Sequence, residues 1–302
     1  MSSWFFQSPP PPPPPPATNI PAGVALACLA AAMAATGINL QRLGKRMGSP
    51  GVSLLGVVLA TSCGLADMAS FQFAPQSLLA PFASLGLVVN LVCARTMHGE
   101  SLGLLDYAST AMVIAGVVVC LLHASQDAPL RTSEELLGFA TDSIFLAWGA
   151  TVVILLGSAL LQARSGPADS IVTKCCAAML PGFFGGGTVL TAKVLTEAAR
   201  AEAPAAVLAA LGALAGLCGV SQTASLNFAV GKYSSLLVVP IFTATSLATN
   251  ASGGGIFFQE FAGFSREQGV AYGGGVLLLL SGVLLLARKA NATNSAEQKK
   301  QK

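Results

Sequence analysis

Nine apolar stretches of about twenty residues follow one another along the chain, each bounded by a charged residue, a proline or a glycine. They cover residues 21–43, 51–74, 77–94, 102–122, 143–163, 171–195, 205–229, 236–258 and 269–287. A hydrocarbon core of about 30 Å takes roughly 20 residues of α-helix, so each stretch is long enough to cross a bilayer. Helices satisfy their own backbone in lipid, whereas an open strand edge does not. The spacing therefore predicts an all-α, polytopic membrane protein of about nine transmembrane helices. Only 10% of the 302 residues are charged, against roughly a quarter in a soluble domain. That scarcity excludes a soluble enzyme. The formal net charge of +3 is too small and too scattered to mark a nucleic-acid partner.

The ends of the chain read differently. Residues 1–20 hold eight consecutive prolines, Pro9–Pro16, without a basic region before them, so they read as a disordered, stiff proline-rich tail. A domain that reads proline motifs is a candidate partner for that tail. Residues 289–302 form a basic tail expected to be disordered. Between the tails, residues 21–288 are expected to form the transmembrane domain. The seven cysteines all lie within apolar stretches and read as small buried hydrophobes.

Orientation follows from lysine and arginine, which favour the cytosolic side. One set of loops holds Arg42, Lys45, Arg46, Arg95, Arg164, Lys174 and Lys232, and the C-terminal tail adds Arg288, Lys289, Lys299, Lys300 and Lys302. The opposite side holds only Arg131, Lys193, Arg200 and Arg266. This places the C-terminus in the cytosol and the N-terminus outside or in a lumen, in a plasma or an endosomal membrane.

The two halves of the chain resemble each other. Phe71-Gln72-Phe73-Ala74 followed by Ser77-Leu78-Leu79-Ala80-Pro81 reappears as Leu226-Asn227-Phe228-Ala229 followed by Ser235-Leu236-Leu237-Val238-Val239-Pro240. Each proline is followed by an asparagine, Asn90 or Asn250, and then by a glutamate, Glu100 or Glu260. Repeat one spans residues 21–122 and repeat two residues 171–288, with a linking helix over 143–163. An offset of five spans is odd, so the two four-helix repeats insert with opposite orientation. Inverted repeats of this kind underlie alternating access in many secondary transporters.

A few polar residues remain for chemistry. Asp67 is placed about 12 Å inside the second span, where a carboxylate needs a cavity, a cation or a hydrogen-bonding partner. Glu100 and Glu260 fall at the ends of the third and eighth spans, one carboxylate at each mouth of a pathway. Gln222 and Asn227 offer amide oxygens to a cation or its water shell, while Asn90 and Asn250 read as packing amides. Lys193 is expected to snorkel to the interface. The glycine triplets Gly185–Gly187, Gly253–Gly255 and Gly273–Gly275 read as close helix contacts or hinges. No nucleophile, base or metal-ligand spacing suggests hydrolysis.

Several of these segments resemble a known family. Phe73-Ala74-Pro75, Leu79-Ala80-Pro81-Phe82-Ala83-Ser84-Leu85 and Gly99-Glu100-Ser101-Leu102-Gly103-Leu104-Leu105 are similar to the pattern of the NIPA-type magnesium transporters, a branch of the drug/metabolite transporter superfamily. The second half agrees through Thr188-Val189-Leu190-Thr191-Ala192-Lys193, Gln222 with Leu226-Asn227, and Val239-Pro240 followed by Phe257-Phe258-Gln259-Glu260-Phe261. Gln41-Arg42 falls where the family has Gln-Lys. The chain departs from the pattern at Cys63-Gly64 and Asp67, where the family has Gly-Glu and an Asn. It also departs at Gln259 and Phe261, where the family has Lys and Trp. The resemblance implies movement of Mg²⁺ or another divalent cation across the bilayer, by a protein that is not an enzyme. Asp67 is then the metal-facing carboxylate, with Glu100, Glu260, Asn227 and Gln222 along the pathway. No cofactor is implied beyond Mg²⁺ as cargo. A homo-oligomer is compatible with this reading. A small-metabolite carrier of the same superfamily and a non-transporting membrane scaffold stand as alternatives.

Overall fold

The structure, a computed structural model, describes residues 19–99, 102–125, 131–233 and 235–300. The polyproline run and Glu100 lie outside the described residues. All regular structure among the described residues is helical. The first repeat consists of α1 (Ile20–Met47), α2 (Pro50–Ser70), the short α3 (Gln76–Leu79), a 3₁₀ turn (Ala80–Ser84), α4 (Leu85–His98) and α5 (Leu104–His123). A short helix, α6 (Ser133–Ala140), and α7 (Ser143–Ser165) lead to the second repeat. That repeat is α8 (Ile171–Arg200), α9 (Ala205–Lys232), α10 (Ser235–Phe257) and α11 (Arg266–Lys300).

Every expected span is present as a helix, with α3, the 3₁₀ turn and α4 together making the third. Eight are long and apolar enough to cross a membrane by length and composition. The remaining one, α10, has 23 residues, about 34 Å of helix, which is also long enough to cross. It packs against α8, α11, α7 and α9. The molecule is an all-α, multi-pass membrane protein.

Three boundaries differ from the sequence reading. The second span was expected to reach residue 74, but α2 stops at Ser70. Pro75 disfavours helical backbone at the residue before it, and residues 71–75 form a tight turn instead. The helix α6 was not anticipated. It is set by a capping box, in which the Thr132 side chain accepts from the Glu135 amide and the Glu135 carboxylate accepts from the Thr132 amide. The latter bond holds the Glu135 carboxyl below its ordinary range. Finally, α11 runs on through the basic segment to Lys300, where no proline or glycine interrupts it.

Helix packing repeats between the halves. In the first, α1 packs along α2 and α4; in the second, α8 packs along α9 and α10. The fourth helices of the two repeats, α5 and α11, pack on each other. Small residues permit the close approach. A Cβ on Gly116 would meet the Leu279 nitrogen at 2.7 Å, and one on Gly282 would meet the Ser109 carbonyl at 2.8 Å. Leu78, Val113, Val117, Cys120, Leu279 and Val283 fill the dry centre of this seam.

Candidate functional site

The turn between α2 and α3 carries non-helical backbone packed inside protein at one end of the bundle, with Phe71, Ala74, Pro75, Gln76 and Ser77 all buried. Buried main-chain groups must be hydrogen-bonded, and lipid supplies no partners. Here the second repeat supplies them. The Lys193 ammonium donates to the carbonyls of Phe71 and Ala74, the latter at 3.2 Å. Arg200 donates to the Gln72 carbonyl at 3.2 Å, and the Tyr272 hydroxyl to the Ser77 carbonyl at 2.8 Å. The amides of Gln76 and Ser77, unpaired because they open a helix, donate to the two oxygens of Glu260 at 2.8 and 2.7 Å. The Gln76 side chain reaches further and donates to Asn250 Oδ1 at 2.5 Å.

Charge balance at this junction comes from one helix face. Lys193 and Glu197 stand one turn apart on α8 and form an ion pair at 2.8 Å, with both side chains nearly dry. Arg200 lies 3.5 Å from the same carboxylate oxygen. Lys193 therefore does not snorkel. It turns inward because two carbonyls and a carboxylate within the protein replace its water.

The glycines explain themselves by position. A Cβ on Gly253 would meet the Trp148 ring at 2.7 Å, one on Gly254 the Gln76 side chain at 2.5 Å, and one on Gly255 the Phe261 ring. The triplet on α10 is thus a three-sided close contact.

The structure places the five candidate residues in different settings. Asp67 is half-buried on α2, and the earlier end of that helix puts it three residues from the C-terminus rather than deep within it. Among the described residues its carboxylate accepts no hydrogen bond; only its main-chain carbonyl is used, by Ser70 and Phe71. Gln222 is half-buried on α9 beside Gly185 and Ser246, where a Cβ on the glycine would meet its amide nitrogen at 3.1 Å. Asn227, on the same helix, is exposed. The helix that carries Asp67, α2, packs along α1 and touches α8, whereas α9, which carries the two amides, packs along α8 and against α10. Glu260 is engaged with the first repeat, and Glu100 is outside the described residues. Asn90 is a packing amide: its Oδ1 accepts from Asn39 at 2.7 Å, and His98 stands 3.1 Å from the Asn39 oxygen.

Gln76, Glu197, Arg200 and Tyr272 were not anticipated at the junction. Glu197 had a signal, since it follows Lys193 by four residues and the pair shares one helix face. Gln76 and Tyr272 had none, because their partners lie 174 and 195 residues away.

Eight apolar helices of membrane-spanning length, a close seam between α5 and α11 and an irregular buried turn held by polar side chains define an all-α polytopic membrane protein. The sequence profile of the magnesium transporter NIPA family matches residues 51–292. The chain belongs to this family. A "probable magnesium transporter" of Candida albicans is 24% identical over 237 residues, covering 76% of this chain and 64% of that protein. The "probable magnesium transporter NIPA2" of Arabidopsis thaliana is 22% identical, covering 76% of this chain and 70% of its own length. The "probable magnesium transporter NIPA4" of the same plant is 26% identical over 235 residues, covering 74% and 66%. The chain thus spans somewhat under two thirds of the Candida relative. No solved structure matches.

Proposed function

We infer that the chain moves Mg²⁺ across a membrane by alternating access of its two repeats. The observation that carries this reading is Asp67, a half-buried carboxylate on a membrane helix with no hydrogen-bond partner among the described residues. By contrast, Glu197 pairs with Lys193 through one oxygen, and Glu260 accepts from two amides. A carboxylate left unpaired at such a position is costly unless it faces water or a cation. Mg²⁺ suits it, because that ion keeps most of its waters and needs only one or two carboxylates. Gln222 and Asn227 stand on α9, apart from Asp67, and offer amide oxygens at a separate stage of the pathway. The names of the relatives support Mg²⁺ as cargo. The end that carries Arg131, Lys193, Arg200 and Arg266 faces outward by the positive-inside rule. A dipositive ion entering a negative-inside compartment then gains about 4.6 kcal/mol per 100 mV, twice the single-charge value.

The test is uptake by purified protein in liposomes with an imposed potential. Asp67→Asn is expected to lower Mg²⁺ uptake at least tenfold while leaving the protein inserted and monodisperse. Undiminished uptake by that variant removes Asp67 from the pathway. Transport of a metabolite in Mg²⁺-free medium, with no Mg²⁺ uptake, overturns the choice of cargo.

A further inference from the structure

The hydrogen bonds that Lys193, Arg200, Asn250, Glu260 and Tyr272 make to the first repeat all fall at one end of the bundle. Two of these residues travel together. Asn250 lies within α10, and Glu260 follows it by ten residues in the cap that ends the helix. In that cap the Glu260 amide donates to the Gly255 carbonyl at 2.9 Å and the Gln259 amide to Ile256 at 3.2 Å, the pattern of a Schellman motif. Its left-handed position is filled by Gln259, at φ 53°, where glycine is usual. A non-glycine residue holds that conformation at a cost of about 1 kcal/mol or more, and only where the surroundings enforce it. Here the cap is fixed at both ends, by α10 behind it and by the two amides that Glu260 accepts in front.

The carboxylate therefore moves rigidly with α10. That helix contains Pro240 near its start, which removes one backbone hydrogen bond and leaves a natural bending point. From Pro240 to Phe257 the lever is about 26 Å long at 1.5 Å per residue. A bend of about 10° at its base displaces the far end by about 4–5 Å, enough to break a hydrogen bond. The element that Glu260 grips has a weak point of its own: α3 is a single turn, followed by the 3₁₀ segment Ala80–Ser84 containing Pro81.

We propose that Glu260 is an inter-repeat latch: its two bonds to the Gln76 and Ser77 amides hold this end of the bundle shut, and their release on movement of α10 opens it. The proposal rests on the alternating-access reading above. Glu260 closes a mouth by gripping main chain, a role different from attracting cations in solution. Because the grip is on two amides, a neutral side chain of the same shape weakens it: Gln retains one carbonyl oxygen, and its NH₂ faces the second N–H.

Ser77 reports the state of the latch, since its side chain is fully buried beneath the contact and its hydroxyl is unpartnered. With the native cysteines replaced by alanine, Ser77→Cys in the full chain is reconstituted and labelled with a charged, membrane-impermeant maleimide. Glu260→Gln is expected to speed labelling at least tenfold and to lower Mg²⁺ uptake at least fivefold; Glu260→Asp falls between. Labelling within twofold of the parent overturns the latch, as does faster labelling with unchanged uptake. Should Glu260→Gln fail to fold, the donor side gives the same answer. Gln76 occupies the first helical position, which accepts proline, so Gln76→Pro removes one gripped N–H, and Gln76→Ala removes only the side chain. Labelling several-fold faster in Gln76→Pro than in Gln76→Ala is expected, and equal rates overturn the proposal. If the parent labels slowly but takes up no Mg²⁺, the cargo reading fails, while the labelling comparison still judges the closure.

Discussion

Lys193 on α8 holds the Ala74 carbonyl of the other repeat at 3.2 Å while its ammonium is paired with Glu197 at 2.8 Å. One side chain thus solvates a buried turn and is itself neutralised without leaving its helix. The arrangement answers the problem that an irregular crossing poses in lipid, where every carbonyl needs a donor.

Removing that donor exposes the dependence. Lys193→Met leaves Glu197 as a buried carboxylate, with Arg200 as its remaining cation, and takes the donor from two carbonyls. Breaking one partner of a buried pair costs about 3–5 kcal/mol, so thermal unfolding in detergent is expected to shift well below the parent. Lys193→Met with Glu197→Gln recovers part of the loss. Equal stability of the two variants contradicts the pairing.

The contact between Gly254 and Gln76 makes a second prediction. A Cβ at Gly254 falls 2.5 Å from the Gln76 Cγ and 2.7 Å from its Cβ. Gly254→Ala is therefore expected to destabilise by about 1–3 kcal/mol, the usual cost of overpacking. Adding Gln76→Ala removes the Cγ and Cδ and relieves part of that strain. The two changes are expected to be non-additive by more than about 0.5 kcal/mol in a double-mutant cycle.

At the seam, Gly116→Val drives a side chain into the α11 backbone, where a Cβ already meets the Gly275 carbonyl at 2.8 Å. Loss of monodisperse protein on size-exclusion chromatography is the expected outcome. Gly149→Val on α7, where a Cβ meets nothing within 4 Å, is expected to behave as the parent.

Tyr272→Phe tests the last of the donors to the turn. The Ser77 carbonyl loses its 2.8 Å bond within a buried site, which costs about 1–3 kcal/mol. A thermal shift indistinguishable from the parent shows that another group takes the place of the hydroxyl.

Much of this architecture was legible in the chain. The apolar runs located every long helix, since their length is set by the bilayer and their content by the absence of water. The repeated Ser-Leu-Leu and proline segments pointed to two related halves; in the structure α1 packs along α2 and α4, and α8 along α9 and α10. Asp67 was legible as an acid out of place, but its depth was not: Pro75 ended α2 early, a local effect that hydrophobicity alone does not register. Lys193 was read as an interfacial cation because a lysine near a helix end usually finds water. Its inward turn depends on carbonyls of a segment 119 and 122 residues away.

The sequence by itself determined that the chain crosses a membrane and where its apolar helices lie, because burial in lipid is imposed residue by residue on each helix. Only the tertiary structure decided which polar groups meet. Glu260 and Asn250 grip Gln76 and Ser77 across more than 170 residues. A carboxylate becomes a mouth charge or a clamp according to the backbone that folding brings opposite it.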